Sequence, residues 1–365
     1  MGRPVESRMQ KGELKVMKRG FRRITRLIED ARTIAICAHT NPDGDALGTQ
    51  LALAQIIEQE WPQKEVTCLL ADPAPCPRIY EFLPGTDRLV HASDYDVDPD
   101  LFICVDIAGG PRLNEALAVR DRAAQVAIID HHPNDDPQAD AWVICPEAAA
   151  AAVLVTRFAK HLGASISREC AQCLYCAIAT DTGNFQYQNA DPEAFAMASL
   201  LVDAGADPSE VSLNVYQSFR LEYLRLLATA CDRIRTFMGG RLVYSYVTSA
   251  DFERTGASLD ECDGLVDTVR SVVGTEVVLF LKEVPGNKVR GNLRSKTSFD
   301  VSAIAQAMGG GGHKAAAGFM CDGTIDDAAS KVLPLLRAAI EEHDAAQREQ
   351  DAAGDEAGTE PEAAE

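Results

Sequence analysis

Continuous apolar runs separated by helical patterns constrain this chain more than anything else in it. Residues 33–38 (TIAICA), 65–70 (EVTCLL), 101–105 (LFICV) and 126–129 (VAII) show little of the in–out alternation of a strand with one wet face. A strand that is apolar on both faces must be covered on both, and helices between successive strands supply the cover. Helical periodicity at about residues 46–59, 148–162, 168–179 and 192–204 fits that scheme. The expected fold is α/β, an N-terminal doubly wound and mostly parallel sheet. Residues 15–30 read as a helix with a basic face that packs Val16, Phe21, Ile24 and Leu27 inward. Phosphate contact is the weaker reading of that face.

The ends of these runs carry the chemistry. The first ends in His39, with Asp43 and Asp45 close behind in HTNPDGDALG. The third ends in Asp106, and the fourth in Asp130, His131 and His132. The helical run LYCAIAT ends in Asp181. In an open parallel sheet the carboxyl ends of the strands share one edge, where ligands bind. Any one of these acids alone reads as a helix cap or turn residue. Three histidines and five aspartates converging on one edge read better as ligands. Carboxylate and imidazole without thiolate suit Mn²⁺, Mg²⁺, Fe²⁺ or Co²⁺. A set this large suits two ions sharing a carboxylate, an arrangement that serves phosphoryl transfer.

Charge and cysteines narrow the classes. The net charge is −20 over 365 residues, of which residues 346–365 contribute −6. Such a body repels long polyanions unless its cations are gathered locally. Cys170, Cys173 and Cys176 form a CxxCxxC run, but their i, i+3, i+6 spacing is one helix face and no fourth cysteine is near. A buried helix face is the expected reading, not a cluster. No apolar run is long enough to cross a bilayer, and the basic N-terminal segment leads into an amphipathic stretch, so a cytoplasmic protein without a signal peptide is expected.

A second α/β pattern follows residue 238: RLVYSYVT, a helix near 262–273, EVVLFLKEV, KVRGNLRS, a helix at 301–308 and a last helix at 325–344. Residues 211–238 read as a helical linker and residues 345–365 as a disordered acidic tail. LKEVPGNKVRGNLRSK reverses the local sign, with Lys282, Lys288, Arg290, Arg294 and Lys296 against Glu283. In MGGGGHKAAAG, Gly309–Gly312 let backbone N–H groups approach an anion.

HTNPDGDALG, VDIA, IDHH and TDTGNF, in this order, resemble the four motifs of the DHH phosphoesterase superfamily. GNLRSK and DVSAIAQAMGGGGHKAAAGF resemble the DHHA1 domain that accompanies it. Domain order and YEFLPG are most similar to the NrnA-type nanoRNases, bifunctional oligoribonucleases and pAp phosphatases. The resemblance implies a DHH catalytic domain at 21–210 and a smaller α/β DHHA1 domain at 239–344. It implies one metal on His39, Asp43 and Asp106 and a second on Asp45, Asp106, His131 and Asp181, with two divalent ions, Mn²⁺ foremost, and Asp106 shared. Asp130 would orient a ligand imidazole, and His132 would face the phosphate or protonate the leaving oxygen. Arg294, Ser295, Gly310, Gly311, Gly312, His313 and Lys314 would bind substrate. Where relatives carry Ser or Thr after CPE, this chain has Ala148–Ala152, so a hydroxyl contact implied by the resemblance is missing.

The implied activity is hydrolysis of short RNA or DNA oligonucleotides to mononucleotides and of pAp to AMP, with neither long duplex nor membrane as partner and a homodimer left open. The alternatives are a RecJ-like single-stranded DNA exonuclease and a phosphodiesterase for linear dinucleotides such as pGpG or pApA.

Overall fold

The computed structural model describes residues 11–107, 110–259, 262, 264–312 and 314–357. The expected site residue His313 and the end of the acidic tail lie outside these. Contacts divide the chain into two compact units, Met1–Ser218 and Phe219–Glu365.

In the first unit, helix α1 (Lys11–Asp30) leads into β1 (Thr33–Cys37), α2 (Gly44–Glu60), β2 (Glu65–Leu70), β3 (Val90–His91) and β4 (Leu101–Val105). Then come α3 (Ala116–Asp121), β5 (Gln125–Asp130), β6 (Ala141–Ile144), α4 (Ala151–Leu162), α5 (Arg168–Asp181), α6 (Pro192–Asp203) and α7 (Pro208–Val211). The six strands are all parallel, in the order β3-β2-β1-β4-β5-β6. Alternate residues of β1 and β4 point to opposite faces. Ile34, Ile36, Leu101 and Ile103 are buried with α2, α4 and α5 on one side. Ala35, Cys37, Phe102 and Cys104 are buried with Leu113, Ala116 and Val119 on the other. That double burial is why these runs show no alternation. The two short edge strands, β3 and β6, fall outside the apolar runs and were not expected.

The chain moves outward from β1 to β3, then returns to place β4 on the other side of β1. The crevice at the carboxyl ends of β1 and β4 is therefore the switch point of the sheet. Helices α2 and α5 pack antiparallel along a seam of small residues. A Cβ on Gly44 would lie 2.4 Å from Thr180 Oγ1, and one on Gly48 2.4 Å from the Cys173 carbonyl oxygen. This close approach sets the start of α2 beside the end of α5. Cys170, Cys173 and Cys176 are buried on α5, as their helical spacing predicts, and burial raises all three thiols. In α1, Phe21, Ile24 and Ile28 are buried, but Val16 is 72% exposed. Val16 lies about 100° around the helix from Lys15 and falls outside the core-facing arc.

The second unit holds α8 (Leu221–Asp232), β7 (Arg235–Phe237), β8 (Leu242–Val247), α9 (Ser249–Thr255), α10 (Leu265–Arg270), β9 (Val277–Val284) and β10 (Lys288–Ser295). It closes with α11 (Ser302–Ala307), β11 (Gly311–Gly312), β12 (Ala316–Asp322) and α12 (Ile325–Ala357). Its sheet runs β11-β12-β10-β9-β8-β7, with only β8 and β9 parallel.

Two expectations change here. The expected linker at 211–238 is split. Ser212–Tyr216 is a π-helical turn, and α8 buries Tyr223, Leu226 and Ala230 against Val243, Val278 and Phe280 of the second unit. An amphipathic helix is stable when its apolar face has a core to enter. The last helix passes residue 344 and reaches Ala357. Its extension is rich in alanine, glutamate and glutamine, which hold a helix without an apolar face. Of the cations in LKEVPGNKVRGNLRSK, Lys282 is buried, at 2% exposed.

Candidate functional site

Each element end delivers one or two polar groups to the switch point. His39 follows β1. Asp43 is the N-cap of α2, its Oδ1 accepting from the Ala46 N–H at 3.0 Å. Asp45 sits in the first turn of α2. Asp106 follows β4 with φ of +55°, a left-handed conformation that few residues other than glycine take and that aspartate and asparagine tolerate best. Its N–H donates to the Ile129 carbonyl at 3.1 Å, which pins the residue to β5. Asp130, His131 and His132 end β5, and Asp181 ends α5.

The side chains converge around Asp106. His39 Nε2 lies 3.2 Å from Asp106 Oδ2 and 3.8 Å from Asp43 Oδ2. His131 Nε2 lies 3.3 Å from Asp106 Oδ1, 3.5 Å from Asp181 Oδ2 and 3.8 Å from Asp45 Oδ2. One oxygen of Asp106 thus serves each histidine.

Both imidazoles have their tautomer fixed. His39 Nδ1 is 2.9 Å from the Thr40 carbonyl, and His131 Nδ1 is 3.1 Å from the Ala148 carbonyl. A carbonyl only accepts, so each Nδ1 carries a proton; the neutral imidazole then turns an Nε2 lone pair to the carboxylates, and the charged one an Nε2–H. His132 differs. Its Nδ1 donates to Asp130 Oδ1 at 2.9 Å, and that oxygen also accepts the backbone N–H groups of His131 and His132, at 2.7 and 3.1 Å. Asp130 therefore orients His132, whereas the sequence reading gave it a metal-ligand imidazole.

Asp45 explains the alanine run. Helix α4 starts after Ala150, which offers no capping side chain. The Asp45 carboxylate takes its place: Oδ2 accepts from the Ala151 N–H at 2.6 Å, and Oδ1 from the Ala152 N–H at 3.1 Å and the Thr49 hydroxyl at 2.8 Å. An aspartate on α2 thus caps α4 across the site. Thr49, Ala148 and Ala151 gave no signal in the sequence, because two of these three act through backbone atoms.

The electrostatics call for added positive charge. Burial and the neighbouring Asp106 and Asp181 push the Asp45 carboxyl well up. Burial pushes Asp181 up to about 7, with His131 opposing and Asp43 and Asp106 adding to the rise. Burial opposes the charged form of His131, yet the adjoining Asp106, Asp181 and Asp45 carboxylates push it up to about 11. Asp106 is also raised by burial, but the adjoining His131 and His39 imidazoles hold it well below the carboxylate range. Asp106 Oδ1 is buried with no aligned hydrogen-bond donor among the described residues. A buried orphan oxygen and crowded carboxylates with two imidazole Nε2 atoms turned to them fit a divalent cation, which would take the place of the Nε2 protons. Three groups could hold one: His39, Asp43 and Asp106; Asp45, His131 and Asp181; and Asp106, His131 and His132.

The expected substrate residues lie in the second unit. Arg294, on β10, is partly buried, its Nη1 donating to the Leu293 carbonyl at 3.1 Å and its Nε 3.8 Å from Asp267. Ser295 is 2% exposed, and its hydroxyl closes a turn with Thr297, donating to the carbonyl at 3.1 Å and accepting the N–H at 3.2 Å. The N–H groups of Gly309 and Gly310 are spent on the Gln306 and Ala305 carbonyls. Gly311 and Gly312 pair with Gly318 and Ala317 of β12. A Cβ at Gly310 would lie 2.1 Å from the Gly318 carbonyl oxygen, so glycine is needed there for close strand packing. Lys314 is exposed. The structure brings Arg294 and Gly312 to the same sheet, both paired with β12, at Ala316 and Ala317.

Comparison with known proteins agrees with this geometry. Residues 33–178 match the DHH family, N-terminal domain, and residues 239–342 match the DHHA1 domain. The bifunctional oligoribonuclease and PAP phosphatase NrnA of Thermus thermophilus is 31% identical, over 83% of this chain and 89% of its own. The protein of the same description from Bacillus subtilis is 25% identical, over 86% and 96%. The crystal structure of an exopolyphosphatase-related protein from Bacteroides fragilis shares the fold with a TM-score of 0.81 at 24% identity, covering 89% of this chain and 96% of that one.

Proposed function

Since the chain belongs to the DHH family and carries a DHHA1 domain with it, we propose that it is a metal-dependent phosphoesterase that hydrolyses short oligonucleotides to mononucleotides and pAp to AMP. The relatives described as oligoribonuclease and PAP phosphatase, each aligned over more than four-fifths of this chain, support the substrate class. The single observation that carries the chemistry is Asp106, which turns one oxygen to His39 and the other to His131.

His39, Asp43 and Asp106 would hold one cation, and Asp45, Asp106, His131 and Asp181 a second. The all-nitrogen-and-oxygen donor set suits Mn²⁺, Mg²⁺, Fe²⁺ or Co²⁺, and the family resemblance puts Mn²⁺ first. Bound there, two divalent cations supply Lewis acidity toward phosphoryl oxygens and lower the pKa of water. The remaining roles belong to the chain. Thr40 and Ala148 hold the two ligand imidazoles in the correct tautomer. Asp130 holds His132 with its Nδ1 protonated, which leaves Nε2 to carry or accept a proton at the substrate phosphate. Arg294 and Lys314 would hold a phosphate of the nucleotide. The guanidinium gives a planar fork, the ammonium a point charge.

The test is direct. With Mn²⁺, the purified protein is expected to release mononucleotides from a labelled dinucleotide and a five-mer, and AMP from pAp, with no turnover after exhaustive chelation. Cleavage of a forty-mer with neither dinucleotide nor pAp turnover would make it a RecJ-type exonuclease instead.

A further inference from the structure

Helix α1 bears a charge pattern that the catalytic site does not use. Lys15, Lys18, Arg19, Arg22, Arg23 and Arg26 are all exposed. Their spacing of i, i+3, i+4, i+7, i+8 and i+11 puts them on one face over about 16 Å. Among the described residues, no carboxylate lies within ion-pair distance of Lys15, Lys18, Arg19, Arg22 or Arg26. In a chain of net charge −20, six cations in one stripe are a local reversal of sign. Their field reaches a neighbour: after burial, Arg22 and Lys18 are what hold the His161 imidazole below its usual range.

An aromatic group completes the surface. Trp142, on edge strand β6, is 41% exposed, and the Arg23 guanidinium lies over its ring at 5.7 Å while donating to the Asp140 carbonyl at 2.6 Å. An exposed indole beside a cation stripe offers both things a single strand of nucleic acid needs: a stacking plane for a base and charge for its phosphates. The stripe also points the right way. The Lys64 ammonium, just before β2, donates to the Glu29 carbonyl at 2.5 Å, so the C-terminal end of α1 lies at the amino edge of the sheet. Its N-terminal end therefore lies toward the carboxyl edge, where the carboxylate–histidine cluster sits. A membrane surface fits less well, because the apolar face of α1 is spent on the core through Phe21, Ile24 and Ile28.

We propose that the exposed face of α1, with Trp142, is a binding surface for single-stranded RNA outside the catalytic centre. It holds the body of a strand longer than the site itself can take. This rests on the phosphoesterase reading for its purpose but not for its measurement.

Binding of a fluorescein-labelled twenty-nucleotide single-stranded RNA is measured by anisotropy on the full chain in EDTA, where no turnover occurs. The triple variant R19E/R22E/R26E is expected to bind at least tenfold more weakly at low salt. Its dependence of log K on log salt should be shallower by about 2, since each lost contact to a single strand removes about 0.7. Trp142→Ala should weaken single-strand binding several-fold with the salt slope unchanged. Dinucleotide turnover with Mn²⁺ should be the same in wild type and both variants, which also shows that they fold. Unchanged RNA affinity in the triple variant overturns the proposal. So does equal affinity for a twenty-base-pair duplex together with no effect of Trp142→Ala, which would make the stripe a general polyanion or acidic-protein surface. If wild type fails on the dinucleotide yet binds the RNA through these residues, the catalytic reading falls and the surface stands.

Discussion

Asp106 concentrates the demands of the site in one residue: left-handed backbone, near-complete burial and a carboxylate facing two histidines. Asp106→Asn keeps the shape but removes the charge, so dinucleotide hydrolysis should fall by at least about 10³-fold, the scale of losing a central electrostatic element. Circular dichroism should be unchanged. His132→Ala should lower kcat by ~10²–10⁴, the range for a proton-transfer group. Asp130→Asn should lower kcat with little change in KM, because the amide can present its NH₂ to His132 Nδ1 and reverse the tautomer; a rise in KM alone would contradict the orienting role. At this scale the sequence was informative in one respect only. Acidic and imidazole side chains are visible as letters, so all six ligand candidates could be named. The Thr40 and Ala148 carbonyls and the cap from Asp45 to α4 were not visible, since backbone atoms belong to every residue alike. Ser295 misled in the opposite sense: a hydroxyl beside Arg294 looked available, and a local turn with Thr297 had already used it.

Elements set the geometry that residues then use. The seam of α2 against α5 leaves no room for a side chain at Gly48, where a Cβ would also lie 3.0 Å from the Ala177 methyl. Gly48→Val should therefore push the helices apart and move Asp45 away from Asp181. A stability loss of about 1–3 kcal/mol is expected from overpacking, and activity should fall by more than stability explains, read as kcat/KM on protein shown to be folded. Apolar runs fully buried on both faces announced β1, β4 and β5, and amphipathic or capped stretches announced α2, α4, α5 and α6. The edge strands β3, β6 and β11 did not announce themselves, because a strand of two to four residues carries too few positions for any period. The glycine run was legible as a close approach of backbones but not as a strand. It pairs with β12 through Gly311 and Gly312, and only the fold reveals that.

Across the whole molecule, the two units have separate cores and separate sensitivities. In the second, Asp251 is held well below the carboxylate range: burial raises it, but Arg233, the Thr248 backbone and hydroxyl, and Arg254 lower it further. A depressed folded-state pKa stabilises the fold above the unfolded value of about 3.9 and ceases to do so as acid protonates the group. Asp251→Asn should thus cost about 1–3 kcal/mol in urea unfolding at pH 7, and the gap to wild type should shrink on going to pH 3. The first unit has a different character. Its six ligand candidates span His39 to Asp181 and come from five strand or helix ends that meet only when β1, β4 and β5 lie side by side and α5 has returned. Bringing such distant segments together is a slow, late event in a parallel sheet. A cation therefore has nothing to bind until the sheet is built, and it cannot act as a seed. It acts as a latch. Added Mn²⁺ should leave the refolding rate of the unit almost unchanged and slow its unfolding, so that the gain in stability appears nearly all in the unfolding limb of the chevron.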